Sequence, residues 1–228
     1  MNADDILYGI SVWALPVILA ITFHEAAHGF VAYRFGDDTA WRLGRVSANP
    51  LRHVDPVGTI ILPGLLLLMR APFLFGYAKP VPVNFGRLRN PKRDMIWVAA
   101  AGPATNVLLA LMSGWLVHVT PYLPSTAGAW ALQNLLNSIK INAALAVFNM
   151  IPLPPLDGGR VAVGLLPGPL AIPLARTERF GMLILLMLLF VLPYIGNQLH
   201  RNFDVVRYLL EVPYGYLVSF IATLTGLA

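Results

Sequence analysis

Residues 6–35 read ILYGISVWALPVILAITFHEAAHGFVAYRF, and this stretch decides the class of the protein. Ile6 to Phe23 carry no charge over 18 residues. A helix needs about 20 mostly apolar residues to cross the ~30 Å hydrocarbon core of a bilayer. The run then meets three ionisable side chains, His24, Glu25 and His28, and continues apolar until Gly36-Asp37-Asp38 supplies a helix stop. The pattern predicts one helix from about Ile6 to Phe35, with a single interior Pro16. Met1 to Asp5 hold two Asp and no Lys or Arg, so the basic region of a signal peptide is missing. The segment is therefore expected to remain as a span.

The rest of the chain agrees with that reading. Of 228 residues, 57% are hydrophobic and 12% charged, with a mean hydropathy of +0.67. A soluble domain carries about 25% charged residues, so too little polar surface is available here to face water. Further uncharged runs cover Met95 to Ile139, Ile141 to Leu156, Phe180 to Leu199 and Val212 to Ala228. The absence of Cys excludes disulfides, thiolate metal sites and Cys nucleophiles. The net charge of +5 points away from nucleic acid once its positions are read. Ten of the 16 Lys and Arg lie between Arg34 and Arg93, beside apolar runs, which is the positive-inside signature.

These marks place the first segment running from outside to the cytoplasm. Trp41 to Val46 alternates enough to predict a short cytoplasmic strand. Val57 to Ala78 is apolar, broken by Pro63-Gly64, Pro72 and Gly76, and flanked by cations on both sides. Two cytoplasmic flanks require an even number of crossings, so a re-entrant hairpin is expected, its broken backbone covered by protein or water, the alternative being an ordinary span with one flank against the charge rule. Lys79 to Phe85, KPVPVNF, is an extended segment whose prolines blunt sheet pairing on one side. A span is predicted from about Asp94 to Val117, a turn at Pro121 to Ser125, a return from about Asn134 to Met150, and a crossing over Phe180 to Gly196. Val205 to Leu227 is either a last span or an interfacial helix. The expected fold is an all-α polytopic membrane protein, a multi-span helical bundle with a re-entrant segment and a minor cytoplasmic β element. It forms one domain over 1–228, with its core at about 6–159 and C-terminal helices at about 178–227.

His24 and His28, at i and i+4, project from one helix face about 6 Å apart. That spacing lets both imidazoles ligate one zinc ion, with Glu25 beside them able to take a proton from a zinc-bound water. A charge at the bilayer centre costs at least about 2.5–3.5 kcal/mol, so three ionisable groups here need a compensating partner such as a metal. A third ligand is required, and the candidates are Asp157, Asp55, His53, His118 and His200. At 1.5 Å per residue, His24 lies roughly 27 Å from an outer boundary at Ile6, near the cytoplasmic edge. Asp157 reaches a similar depth, whereas His118 and His200 fall near the outer face. His53 and Asp55 are on the correct side in a polar loop and stay open. Asn149 is an amide on an apolar segment, suited to an interhelical hydrogen bond or to an oxyanion. Gly102 and Asn106 read as packing residues. The two glycines after Asp157, Gly158 and Gly159, are expected to admit the next helix closely.

HEAAHG, AGPATN and NMIPLPPLDGGR, in that order and in membrane segments, resemble the site-2 protease family of intramembrane zinc metalloproteases. The likeness covers roughly Ile6 to Gly159. NPLRHVDPVGT and KPVPVN are similar to stretches of a short bacterial branch without a PDZ or CBS domain. The resemblance implies that His24, His28 and Asp157 ligate one Zn2+, that Glu25 is the general base, and that Asn149 lies close to the scissile carbonyl. It implies a membrane-protein substrate with a transmembrane helix, cut near the cytoplasmic side of a bacterial inner membrane. KPVPVNF would pair with the unwound substrate by β-addition. The alternative is a membrane metal-binding or transport protein without proteolytic activity. Substrate identity and oligomeric state are not legible.

Overall fold

The computed structural model describes residues 3–61, 65, 69, 79–198 and 205–228. The first helix, α1, spans Ala3–Arg34, with Pro16 in its interior. Asp4 and Asp5 in its first turn and Arg34 in its last complement the helix dipole. Gly36 then takes φ +109°, a left-handed conformation that ends the helix.

The expected strand at 41–46 is replaced by a single helical turn, α2 (Thr39–Arg42). Local side chains outweigh six residues of alternation. Asp37 Oδ1 accepts hydrogen bonds from the Thr39 amide at 3.1 Å and from its hydroxyl at 2.5 Å. Arg42 pairs with Asp38 at 2.6 Å, and Gly44 at φ +63° closes the turn. No strand is present among the described residues. The re-entrant hairpin expected over 57–78 falls, beyond a π-helical turn at Pro56–Ile61 and residues 65 and 69, outside the described residues.

Four more helices follow. α3 (Pro91–Val117) opens with proline at its first position, where the missing N–H costs nothing. α4 (Ser125–Asn149) starts well before the expected Asn134, because 125–133 is moderately polar yet helix-competent. α5 (Asp157–Leu165) and α6 (Gly168–Arg176) follow the proline-rich turn. Beyond them, α7 (Glu178–Leu186) continues through a π turn (Met187–Val191) into α8 (Leu192–Gln198). α9 (Val212–Thr225) is closed by Gly226 at φ +71°.

Among the described residues, three helices are long and apolar enough to cross a membrane: Leu7–Arg34, Pro91–Val117 and Glu178–Gly196. α4 has the length, but Gln133, Asn134, Asn137, Ser138, Lys140 and Asn142 lower its hydropathy. Those amides face inward. Asn106, Asn137 and Asn142 are at most 1% exposed, while Leu7, Ile10, Leu108, Trp97 and Trp115 are more than half exposed. In water that distribution would be inverted. A lipid-facing surface accounts for it, because helices in a bilayer gain nothing by hiding large apolar side chains from one another. Helix contacts accordingly use small residues: Ala20, Ala32, Ala110 and Ala143 are fully buried. The chain is a membrane protein.

Between α1 and α3, residues 79–87 run extended along α1 and then form a 3-10 turn (Phe85–Arg87). The strip is held at several points. Arg45 donates to the Lys79 carbonyl at 2.6 Å, and the Asn84 amide donates to Asp37 Oδ2 at 2.6 Å. The Arg89 amide donates to the Phe35 carbonyl at 3.0 Å. Val83 and Phe85 pack on a buried cluster of Ala32, Leu88 and Val98.

Candidate metal centre

One helical turn of α1 brings His24 and His28 together, with Nε2 to Nε2 at 3.1 Å. Asp157, the first residue of α5, places Oδ2 3.2 Å from His24 Nε2 and 3.3 Å from His28 Nε2. All three residues are buried, and their ligand atoms lie within 4.8 Å of one another. The turn before Asp157 is irregular, and Asp157 begins the helix. A carboxylate is well placed there, against the positive end of the helix dipole. Gly158 and Gly159 serve the turn rather than the next helix. A Cβ at Gly158 would collide with the Met150 carbonyl, and one at Gly159 with the Leu153–Pro154 backbone.

The far nitrogens of both imidazoles are engaged. His28 Nδ1 donates to the Val98 carbonyl at 2.7 Å. His24 Nδ1 donates to Asn106 Oδ1 at 2.6 Å. A proton on each Nδ1 leaves each Nε2 with a bare lone pair facing its partner and the carboxylate. The site therefore gathers three electron-pair donors with no hydrogen between them. Asp157 Oδ2 is buried and has no hydrogen-bond donor, an arrangement that is costly without a cation. Two imidazoles and one carboxylate form a donor set suited to catalytic zinc, with a fourth position open.

Gly102 on α3 forms the floor of this cluster. A Cβ there would stand 2.5 Å from His28 Nε2 and 2.6 Å from His24 Nε2. The packing role read from the sequence is thus more specific: the missing side chain keeps the space in front of both Nε2 atoms open. Gly102→Ala is expected to weaken zinc binding by about tenfold or more, the scale of a disturbed ligand shell. Metal analysis of the purified variant checks this, and full zinc occupancy would show that the space at Gly102 is not needed.

Glu25 faces the same side. It lines a cavity of about 290 Å³ with His24, His28, Asp157, Asn149 and Arg160. Its Oε2 accepts the Val81 amide hydrogen at 2.7 Å, which holds the extended strip beside the site. Asn149, the last residue of α4, is half-buried rather than buried, and its Nδ2 donates back to the Leu145 carbonyl at 3.0 Å. Arg160 pairs with Glu178 at 3.2 Å and lies over the Phe85 ring at 5.2 Å. A larger apolar cleft of about 530 Å³, lined by Pro103, Val147, Pro213 and Leu217, contains none of these polar groups.

The other ligand candidates are placed elsewhere. The buried His53 donates from Nε2 to the Ser47 carbonyl at 2.9 Å. Asp55 accepts from the Val57 and Gly58 amides at 3.0 and 2.7 Å. His118 Nε2 donates to the Thr225 carbonyl at 2.6 Å, and His200 lies outside the described residues. Among the described residues, His24, His28 and Asp157 are the group able to hold a metal ion. The residue that sequence reading undervalued is Asn106. A buried amide in an apolar helix demands a polar partner, and that demand was its signal.

Comparison with known proteins then decides the family. The chain is 37% identical over 183 residues to YwhC of Bacillus subtilis, covering 78% of this chain and 80% of that protein. It is 29% identical over 197 residues to Rip2 of Mycobacterium tuberculosis, covering 86% and 71%. It is 31% identical over 142 residues to MJ0611 of Methanocaldococcus jannaschii, covering 61% and 62%. Each of these carries the name "putative zinc metalloprotease". The chain belongs to the site-2 protease family. It is a zinc metalloprotease, which sets aside the transport reading. Zinc is the metal that fits the His24, His28 and Asp157 cluster in this family. No family model matches the chain, and no solved structure matches it.

Proposed function

We propose that this protein is an intramembrane endopeptidase that cuts transmembrane or membrane-proximal segments of other membrane proteins. In this reading His24, His28 and Asp157 hold the zinc ion. Glu25 is the general base and Asn149 assists the scissile carbonyl. The observation that carries it is the position of Glu25, adjacent in sequence to a metal-binding histidine and lining the same cavity as all three donors. Bound there, zinc supplies Lewis acidity that brings the pKa of water to about 7 and polarises a peptide carbonyl.

The protein's own groups divide the remaining work. The Val81 amide fixes one oxygen of Glu25. The other oxygen takes a proton from water and later delivers it to the leaving amine. Asn149 has one amide hydrogen on the Leu145 carbonyl, and its second is the one assigned to the developing oxyanion. Apolar walls from Val83, Val98, Ala99 and Leu156 limit the water around these groups.

A transmembrane substrate keeps its carbonyls in i to i−4 hydrogen bonds, so it must unwind before attack. The strip at 79–85 is suited to receive the unwound strand by β-addition. Its Val81 N–H is committed to Glu25, and Pro80 and Pro82 have none. The strip therefore offers an incoming strand mainly carbonyl acceptors.

Positive charge sets the orientation. Arg34, Arg42, Arg45, Arg52, Arg87 and Arg89 follow or flank the C-terminal end of α1, which supports a metal centre near the cytoplasmic face of a bacterial inner membrane. The test is co-expression with single-span membrane proteins and mass-spectrometric mapping of the cut. A cut within or at the edge of the span is expected, while cuts confined to soluble loops would overturn the intramembrane assignment. In the same Cys-free background, cysteines placed at Arg52 and Arg87 should be labelled only from the cytoplasmic side. Labelling of Arg87→Cys from outside would mean that 57–78 crosses the membrane.

A further inference from the structure

The hydrogen bond between His24 and Asn106 raises a question of direction. An amide can present either its oxygen or its NH2. If Asn106 presented NH2, His24 Nδ1 would have to accept, the imidazole proton would move to Nε2, and the lone pair a metal takes would be gone. The direction can be read from atoms that have no choice. The Ser138 carbonyl oxygen can only accept, and Asn142 Nδ2 lies 2.9 Å from it and 3.2 Å from the Ser138 hydroxyl. Asn142 Oδ1 must therefore point the other way, where it accepts from Asn106 Nδ2 at 2.8 Å. The Ala20 carbonyl, again acceptor only, takes a second hydrogen from Asn106 Nδ2 at 3.3 Å. With both amide hydrogens engaged, Asn106 can offer His24 only its oxygen.

We infer that Asn142 on α4 is a positioning residue that fixes the metal-binding tautomer of His24 through Asn106, in a one-way hydrogen-bond relay anchored on the Ser138 backbone carbonyl. Each side chain in the relay is buried: Asn106 is 0% exposed and Asn142 1%. No water is needed to complete it, and reversing one amide would leave donors facing donors in a low-dielectric interior. The relay ties α1, α3 and α4 together at the level of the metal centre. It accounts for amide residues at fully buried positions, where alanine would suffice for packing. The inference rests on His24 being a zinc ligand, and its test separates the two claims.

The experiment measures zinc affinity of the full chain in detergent by competition with a chromophoric chelator. The thermal midpoint of the metal-free protein is recorded in parallel. Asn142→Leu removes the stronger of the two acceptors that orient Asn106, leaving only the 3.3 Å contact to the Ala20 carbonyl, and is expected to weaken zinc binding by about 10–100-fold, the range for outer-shell partners of metal ligands. The double variant Asn142→Leu with Asn106→Asp is the decisive comparison. A carboxylate has acceptor oxygens on both sides, so His24 Nδ1 must again donate, and most of the lost affinity should return. A purely structural role would lower the metal-free midpoint in both variants with no recovery of zinc binding in the second. Wild-type affinity in Asn142→Leu, or an equal loss in the double variant, would overturn the relay. Should the leucine variant not fold, Asn142→Ala carries the same expectation and the same rescue. His24→Ala is measured alongside: loss of zinc there with retention in Asn142→Leu defeats the relay alone, whereas retention in both defeats the ligand assignment as well.

Discussion

Glu25→Gln is expected to leave zinc content unchanged while lowering the rate of substrate cleavage by about 10²–10⁴-fold, the usual contribution of a positioned acid or base. The two halves of the expectation have separate causes. The proposed ligands His24, His28 and Asp157 are untouched, so the metal is expected to remain. The glutamine carbonyl can still accept the Val81 amide hydrogen that Glu25 Oε2 accepts at 2.7 Å, so the strip at 79–85 keeps its place beside the site. Only the ability to take a proton is removed. Metal analysis and cleavage of one co-expressed single-span protein, on the same preparations, read the two quantities. Loss of both would mean that the substitution disturbed the centre, and wild-type cleavage would assign the base to another residue.

Much of this arrangement was legible in the sequence because membrane burial constrains residue choice so strongly. The first helix was expected from about Ile6 to Phe35 and runs Ala3–Arg34; the second long span was expected to end at Val117 and does. The His24–His28 pair was legible because ionisable groups at that depth require a shared partner; Asp157 joined it through the family resemblance, with His53 and Asp55 still open on the residues alone, and the structure brings the three together. Features set by short-range chemistry were less legible. The turn at Thr39–Arg42 depends on Asp37 capping Thr39 and on the Arg42–Asp38 pair, and a six-residue alternation carries no trace of either. The start of α4 was missed because hydropathy was followed where helix propensity decided. Asn106 was underread for a related reason. Its sequence context, AGPATN, signals close packing, whereas its hydrogen bond to His24 depends on a residue 82 positions away. The docking of Val81 on Glu25 likewise joins residues 56 apart through a backbone amide, and backbone partners leave no mark in a side-chain pattern.

Asp157→Ala is expected to produce the largest loss of metal. It should exceed the ~10–100-fold typical of outer-shell changes, because a two-histidine site lacks the third ligand that holds catalytic zinc. The same variant should behave unusually when stripped of metal. Without a cation, Asp157 Oδ2 is a buried carboxylate oxygen with no donor, facing two bare imidazole nitrogens. Removing it relieves that cost and forfeits only a modest favourable placement at the start of α5, roughly 0.3–1 kcal/mol. The metal-free variant should therefore unfold at a temperature equal to or above that of the metal-free wild type. Zinc that binds the folded state and not the unfolded one stabilises the wild type with the logarithm of its concentration above Kd, so adding zinc should raise the wild-type midpoint and leave the variant's unchanged. An equal rise in both would remove Asp157 from the ligand set. The remaining polar candidates on that side would then have to supply the third ligand: His53, whose Nε2 donates to the Ser47 carbonyl while its buried Nδ1 has no hydrogen-bond partner, or Asp55, whose Oδ1 accepts from the amides of Val57 and Gly58.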